Sequence, residues 1–131
     1  MGQLDRSRRI LVIDDYEDAA TIVADILLLH GHQARFAVGG HEGLCIASSF
    51  SPDVVFLDLG MPEIDGYAVA RSLRLAFPPG RLRLVALTAR GDELSRARAR
   101  AAGFDAHLLK PAALRKIIEA IEATNLDVPA G

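Results

Sequence analysis

Short apolar runs alternate along the chain with segments in which apolar residues recur every three or four positions. Residues 10–13, 54–57, 84–87 and 106–109 form compact, largely apolar runs, and 32–36 is a more polar extended piece. Compact apolar runs are typical of strands buried on both faces, whereas the wider spacing predicts amphipathic helices. Five strands alternating with five helices predict an α/β fold, a doubly wound parallel sheet with helices on both faces.

The ends of the helices follow from acidic residues, glycine and proline. Acids favour the first turn of a helix, and glycine or proline ends it. In the first two helices, Ile22 and Cys45 occupy positions that we expect to face the core. The predicted helices lie between Glu17 and Gly31, Gly40 and Ser51, Gly66 and Pro78, Asp92 and Gly103, and from Leu114 to Ile121.

Composition narrows the class of protein. A chain of 131 residues with 50% hydrophobic residues and a single cysteine is expected to form one domain without an internal disulfide. Its formal charge of −2 makes no case for direct binding of nucleic acid. The sequence has no signal peptide and no apolar run of about eighteen residues, which predicts a cytoplasmic protein without a membrane anchor.

Polar residues follow four of the predicted strands. Asp14 and Asp15 end the first run, Asp58 the third, Thr88 the fourth and Lys110 the fifth. These side chains should meet, because the carboxyl ends of parallel strands share one edge, where such sheets bind ligands. Clustered carboxylates repel one another, and Mg²⁺ or an ammonium group can compensate that charge. The set is typical of phosphoryl transfer to a carboxylate.

Four ordered motifs contain these residues: ILVIDD ending at Asp15, DLGMPEIDG beginning at Asp58, LTA around Thr88, and GFDAHLLKP ending at Pro111. In composition and spacing they resemble the receiver domain of two-component response regulators. The resemblance covers residues 9–123, with 1–8 and 124–131 as terminal tails. It implies a flavodoxin-like (βα)5 fold with the strand order 2-1-3-4-5, and a role in phosphorelay signalling.

The resemblance also implies a role for each acid. Asp58 would accept a phosphoryl group from a phosphohistidine or from acetyl phosphate. Asp15, Asp58 and the main-chain carbonyl of Gly60 would hold Mg²⁺, or alternatively Mn²⁺, and Asp14 would act through a bound water. Such a domain assists its own phosphorylation and dephosphorylation, and it is not a metabolic enzyme.

The remaining motif residues would handle the phosphoryl group. Thr88 would donate a hydrogen bond to one phosphoryl oxygen and Lys110 would pair with another, while Ala89 leaves room for the group. The peptide bond between Lys110 and Pro111 would be cis.

Three positions distinguish this sequence. Many receiver domains have Tyr or Phe three residues before the active-site lysine, as part of a switch with Thr88, and here the residue is His107. Imidazole titrates near neutral pH, so we hypothesise that coupling to the partner surface is weaker or depends on pH. Gly60 and Arg90 occupy positions that tune phosphoryl lifetime, and Arg90 would either shield the group or pair with it.

Three other functions compete with a phosphoacceptor. A flavodoxin-like cofactor binder needs a hydroxyl- or glycine-rich loop after the first strand, where residues 14–18 are largely acidic. An aspartyl-phosphate hydrolase typically carries a second Asp where Gly60 stands. A degenerate receiver that serves only as an interaction module would not need the complete polar set.

The expected partners are a histidine kinase or a histidine phosphotransfer protein, and a downstream protein bound through the fourth helix, fifth strand and fifth helix. Too few residues remain for an output domain, so we expect action on another protein, or a receiver excised from a hybrid histidine kinase. Arg96 and Arg100 share one face of the fourth helix, with Arg98 nearly opposite. They predict either a solvated helix or a contact for an acidic partner.

Overall fold

The computed structural model of the chain describes residues 7–62 and 65–127. The described residues form five strands: β1 (Arg9–Ile13), β2 (Gln33–Ala37), β3 (Val54–Asp58), β4 (Arg83–Thr88) and β5 (Ala106–Leu109). They also form five helices: α1 (Glu17–Leu29), α2 (Gly40–Phe50), α3 (Gly66–Ala76), α4 (Glu93–Ala102) and α5 (Leu114–Asp127). The elements alternate as predicted.

The strands form one parallel sheet in the order β2-β1-β3-β4-β5. β1 lies between β2 and β3, so Ile13 has Ala37 on one side and Leu57 on the other. These findings confirm the predicted α/β class and strand order. Because the strand order reverses between β1 and β3, the carboxyl ends of these two strands flank the crevice in which such sheets bind ligands.

Alternate residues of each strand face the two helix layers. Ile10 and Val12 pack with α1 and α5, whereas Leu11 and Ile13 pack with α2, α3 and α4. All four side chains are at most 1% exposed. The central strands are therefore buried on both faces, as their apolar runs predict.

Two helix positions differ from the prediction. Ile22 is 59% exposed, and Cys45 is also exposed. Small residues bring the helices close to the sheet instead, such as Ala24 in α1 and Gly43 in α2. A Cβ on Gly43 would lie 2.5 Å from Cδ1 of Ile13. The predictions for Ile22 and Cys45 are wrong, because each helix packs on the sheet through its small residues and not through its largest apolar side chains.

The terminal tails are only partly within the described residues. β1 begins at Arg9, and residues 1–6 lie outside the description. α5 continues to Asp127, beyond the predicted end at Ile121, and residues 128–131 lie outside the description. Within the described ranges, each helix is too short or too polar to cross a membrane.

Candidate functional site

Three carboxylates meet at the carboxyl ends of β1 and β3. Asp58 is the last residue of β3, and Asp14 and Asp15 follow β1 directly. One carboxylate oxygen from each residue lies within 4.8 Å of the others. Asp14 and Asp58 are each 3% exposed, whereas Asp15 is exposed. We call these three residues the acidic cluster, and its donor set could hold a hard metal ion.

Lys110 provides positive charge beside the acidic cluster. Its Nζ lies 3.2 Å from Oδ2 of Asp58 and 3.5 Å from Oδ2 of Asp14. The backbone N–H of Lys110 donates to the carbonyl of Thr88 at 2.8 Å, and the peptide bond to Pro111 is cis. The ammonium group therefore reaches the ends of β1 and β3 although Lys110 follows the edge strand β5.

Backbone donors fix the two buried carboxylates. Oδ1 of Asp58 accepts a hydrogen bond from the N–H of Gly60 at 2.8 Å. Oδ1 of Asp14 accepts one from the N–H of Tyr16 at 3.0 Å. In both residues Oδ2 is the oxygen that faces Lys110. Each carboxylate is thus held with one oxygen bound by its own loop and the other directed to the ammonium group.

The electrostatics of the site favour an additional cation. Burial raises the pKa of Asp14, and the charge of Asp58 raises it further. The hydrogen bond from the Tyr16 N–H and the charge of Lys110 lower this pKa, but they do not cancel the rise. Burial alone would lower the pKa of Lys110, but the carboxylates of Asp58 and Asp14 raise it above its ordinary value. The ammonium group therefore stays charged, while burial still opposes the negative charge of Asp14.

Thr88 and the loop after β4 form another wall of the site. Thr88 is 7% exposed, and its Oγ1 accepts a hydrogen bond from the N–H of Arg90 at 3.0 Å. Ala89 and Arg90 are exposed. Together with Gly60, these residues line a cleft of about 440 Å³ that extends to α4. The structure thus brings Thr88, Ala89, Arg90 and Gly60 to one cleft, and Asp58 and Lys110 are not among its lining residues.

The far wall of this cleft was not predicted. Tyr67 in α3 and Arg98 in α4 both line it, and the guanidinium carbon of Arg98 lies 4.2 Å from the centre of the Tyr67 ring. This cation–π contact joins two helices across the cleft. The alternation of Arg and Ala in α4 carries no signal of the contact, because the partner ring comes from a distant part of the chain.

His107 does not join the acidic cluster. It is half-buried in β5, opposite Ala86 of β4. Its Nε2 is shielded from solvent and has no hydrogen-bond partner within residues 7–62 and 65–127. The hypothesis that His107 weakens the coupling or makes it pH-dependent is not tested by these contacts and stays a prediction.

The comparison with known families agrees with this geometry. The profile of the response regulator receiver domain matches residues 10–122, most of the chain. The chain belongs to the response regulator receiver domain family. Its five-stranded parallel sheet and the acidic cluster at the carboxyl ends of the strands lie within the matched range.

Curated relatives of this receiver domain are response regulators. It is 36% identical over 115 residues to response regulator MprA of Mycolicibacterium vanbaalenii, which covers 88% of this chain and 49% of that protein. It is 31% identical over 120 residues to the alkaline phosphatase synthesis transcriptional regulatory protein PhoP of Bacillus subtilis, with 89% and 48% covered. The chain spans about half the length of these relatives.

Solved structures show the same fold. A receiver domain protein from Methanospirillum hungatei superposes with a TM-score of 0.86 at 23% identity, covering 95% of this chain and 99% of that one. A two-component response regulator from Clostridium difficile has a TM-score of 0.82 at 23% identity, covering 90% and 95%. At this identity the likeness establishes the receiver-domain fold and nothing finer.

Proposed function

We propose that this receiver domain is a magnesium-dependent phosphoacceptor whose nucleophile is Asp58. The observation that carries the proposal is the buried carboxylate of Asp58, with Oδ2 3.2 Å from Nζ of Lys110, inside the acidic cluster. The donor would be the phosphohistidine of a histidine kinase or phosphotransfer protein, or acetyl phosphate. Membership of the response regulator family supports this class of donor.

The reaction is a displacement at phosphorus. An oxygen of Asp58 forms the new bond to phosphorus, the bond from phosphorus to the donor breaks, and its electron pair leaves with the donor. The domain contributes mainly position and charge, which is the usual protein contribution to phosphoryl transfer. The Gly60 N–H fixes Asp58, because its hydrogen bond to Oδ1 sets the direction of the carboxylate.

The metal would be held by the carboxylates of Asp15 and Asp58 and the main-chain carbonyl of Gly60, with Asp14 acting through a water. The carboxylate oxygens of the acidic cluster lie within 4.8 Å of one another and suit Mg²⁺, and Mn²⁺ is the alternative. When bound, the metal neutralises negative charge on the phosphoryl oxygens. The exposed position of Asp15 leaves this side of the cluster open to solvent.

Other residues of the site would receive the phosphoryl group. Thr88 would turn its hydroxyl to one phosphoryl oxygen, and Lys110 would move from Asp58 Oδ2 to pair with another. The methyl side chain of Ala89 leaves space beside them. Gly60 and Arg90 both line the cleft of about 440 Å³, and in this proposal they would affect how quickly water reaches the phosphoryl group.

Incubation with acetyl phosphate and Mg²⁺, followed by intact-mass spectrometry, tests the proposal. We expect an added mass of about 80 Da, one phosphoryl group, that is lost on removal of Mg²⁺ and absent in Asp58→Asn. Asp25→Asn makes the same change at an exposed position of α1 and should be labelled like the wild type. No adduct on the wild type, or an unchanged adduct on Asp58→Asn, would show that the proposal is wrong.

A further inference from the structure

The cleft between the β4–α4 loop, α3 and α4 is larger than the proposed reaction needs. We call it the α3–α4 cleft. Its lining includes Gly60, whose N–H donates to Oδ1 of Asp58, and also Tyr67 and Arg98 on the two helices. Its volume of about 440 Å³ lies within the range of small-molecule sites, whereas a phosphoryl group and an acetyl group fill only a part of it. The cleft therefore has room for a larger body attached to the phosphoryl group.

Two arginines line the α3–α4 cleft. Arg90 and Arg98 are both exposed, and neither forms a salt bridge with any residue in the ranges 7–62 and 65–127. The guanidinium carbon of Arg98 lies 4.2 Å from the centre of the Tyr67 ring, and this contact holds the group in place. Within the described ranges its N–H groups donate no hydrogen bond to another residue, so they are available to an anion in the cleft.

The single acid among the described lining residues is Asp92, the N-cap of α4. Its Oδ1 accepts a hydrogen bond from Oγ of Ser95 at 2.9 Å, and its Oδ2 accepts one from the N–H of Ser95 at 3.1 Å. These bonds lower the pKa of Asp92, and the charge of Arg90 lowers it further. One carboxylate does not balance two guanidinium groups, so the cleft keeps an excess of positive charge.

Apolar side chains form another part of the lining. Leu59 follows β3 and is half-buried, whereas Leu94 at the start of α4 is 77% exposed. Covering such a side chain with an apolar group is favourable, because it removes apolar surface from water. The cleft thus provides apolar contact and a cation beside the residues expected to handle the phosphoryl group.

We propose that the α3–α4 cleft selects a class of small-molecule phosphodonor, the acyl phosphates of dicarboxylic acids. The phosphoryl group lies at Asp58, the acyl body lies against Leu59 and Leu94, and the second carboxylate pairs with Arg98. This inference rests on the proposed function, because it names a donor for the same nucleophile. Guanidinium groups match carboxylates in geometry and charge, and the stacking on Tyr67 reduces the freedom that Arg98 loses on binding.

The transfer is a displacement at phosphorus. An oxygen of Asp58 forms the new bond to phosphorus, and the bond between phosphorus and the bridging oxygen of the acyl phosphate breaks. The electron pair stays on that oxygen, so the free dicarboxylate is released. Arg98 contacts the distant carboxylate equally before and during the transfer. It should therefore lower the donor concentration needed for half-maximal labelling and leave the maximal rate unchanged.

The test compares donors that differ in the acyl body, in the presence of Mg²⁺ and with intact-mass spectrometry as the readout. The donors are acetyl phosphate, benzoyl phosphate and 4-carboxybenzoyl phosphate, which adds only a carboxylate to the ring. At low donor concentration, 4-carboxybenzoyl phosphate should label the wild type at least about tenfold faster than benzoyl phosphate, the effect of one charge-assisted pair. In Arg98→Gln this ratio should fall to about one, through a higher half-saturating concentration.

Control variants separate the cleft from general charge and surface effects. Arg96→Gln removes the same charge from α4, but Arg96 lines a different cleft, between α4 and β5, so it should keep the wild-type ratio. Acetyl phosphate should label Arg96→Gln and Arg98→Gln alike. Leu94→Ser should slow labelling by both aromatic donors, whereas Leu75→Ser, at an exposed position of α3, should not. An unchanged ratio in Arg98→Gln, or a ratio of about one in the wild type, would overturn the proposal.

A non-reactive donor distinguishes this proposal from the proposed function. In 4-carboxyphenacyl phosphonate a CH₂ group replaces the bridging oxygen, so the phosphoryl group cannot be transferred. Its amide shifts in NMR spectra should map to α3 and α4, and Arg98→Gln should weaken its binding at least about tenfold. Such binding without labelling by any donor would contradict the phosphoacceptor and leave the cleft supported as an anion site. Normal labelling by acetyl phosphate without these shifts would contradict the cleft instead.

Discussion

The ammonium group of Lys110 pairs with two carboxylates, those of Asp58 and Asp14. The chain has thirteen arginines and only two lysines, Lys110 and Lys116. The ammonium group of Lys110 is a compact point charge that approaches Asp58 and Asp14 at the same time. A guanidinium group is planar and longer, so it matches one carboxylate through a fixed fork and does not place one compact charge beside two carboxylates.

We expect Lys110→Arg to separate phosphorylation from its structural consequence. On the proposed function, Asp58 should still gain a phosphoryl group, but the NMR shifts that we expect in α4 and β5 on phosphorylation should be largely lost. Lys116→Arg, on the exposed part of α5, makes the same exchange and should respond like the wild type. Wild-type shifts in Lys110→Arg would show that a compact ammonium group is not required.

At the scale of elements, α2 and β1 are joined by one close contact. Gly43 is buried in α2, and the space a side chain would need is filled by Ile13. Helix propensity would favour Ala at this position, but packing against the strand excludes it. The pairing of α2 with the sheet thus depends on the absence of a single methyl group.

Gly43→Ala should lower the free energy of unfolding by about 1–3 kcal/mol, the usual cost of overpacking a core. Urea denaturation measures this change. Ile13→Val removes Cδ1, the atom nearest to the new methyl group, so the loss in the double variant should be smaller than the sum of the two single losses. Simple additivity would show that Gly43 and Ile13 are not in contact.

Arg74 joins two other segments of the fold to α3 through three hydrogen bonds. Its Nε donates to the carbonyl of Gly103 at 2.9 Å, its Nη1 to that of Leu82 at 2.7 Å, and its Nη2 to Asp105 at 2.6 Å. These bonds tie α3 to the segment before β4 and to the turn before β5. The guanidinium group suits this task because its donors diverge in a fixed plane.

Arg74→Lys keeps the charge but cannot make the three bonds together. The variant should lose about 1–3 kcal/mol of stability, because partly buried acceptors become unsatisfied. Arg71→Lys, at an exposed position on the same helix, should change stability by less than about 0.5 kcal/mol. Thermal unfolding of both variants makes the comparison, and equal losses would contradict the role of Arg74.

At the scale of the whole molecule, one histidine links stability to pH. Nδ1 of His32 accepts a hydrogen bond from the N–H of Arg8 at 3.0 Å, next to the start of β1. Burial lowers the pKa of His32 below its ordinary value of 6.5, and the charges of His30 and Arg8 lower it further. The charge of Glu122 raises this pKa, but it does not cancel the other effects. His32 is thus kept neutral in the folded chain and is protonated more readily in the unfolded chain.

Stability from His32 should therefore be complete above about pH 6.5 and decline as the pH falls toward its lowered folded pKa. Between about pH 7.5 and pH 5.5 the wild type should lose more thermal stability than His32→Asn, in which an amide oxygen can accept from Arg8. His41→Asn, at an exposed position of α2, should follow the wild type. Parallel curves for all three proteins would contradict this linkage.

The sequence by itself determined the layout of the fold. Each compact apolar run predicts a strand, and a polar residue follows it. The carboxyl ends of parallel strands lie on one edge of the sheet, so these polar residues are predicted to share that edge. They are Asp14, Asp15, Asp58, Thr88 and Lys110. The structure brings these residues to that edge, because the position of each strand and of the polar residue that follows it both depend on local periodicity. The ends of helices such as α4 followed in the same way, since Asp92 caps it and Gly103 ends it.

Only the tertiary structure decided which surfaces meet. Helix rotation and spacing against the sheet decide three features of the structure. They are the exposure of Ile22 and Cys45, the stacking of Arg98 on Tyr67, and the Nε2 of His107 without a partner among the described residues. The periodicity of apolar residues in the sequence identifies the buried face of a helix to within one or two positions. The side-chain contacts of that face with the sheet change when a single methyl group is added or removed. The edge that carries the acidic cluster was therefore predictable, and the rotation of each helix against the sheet was not.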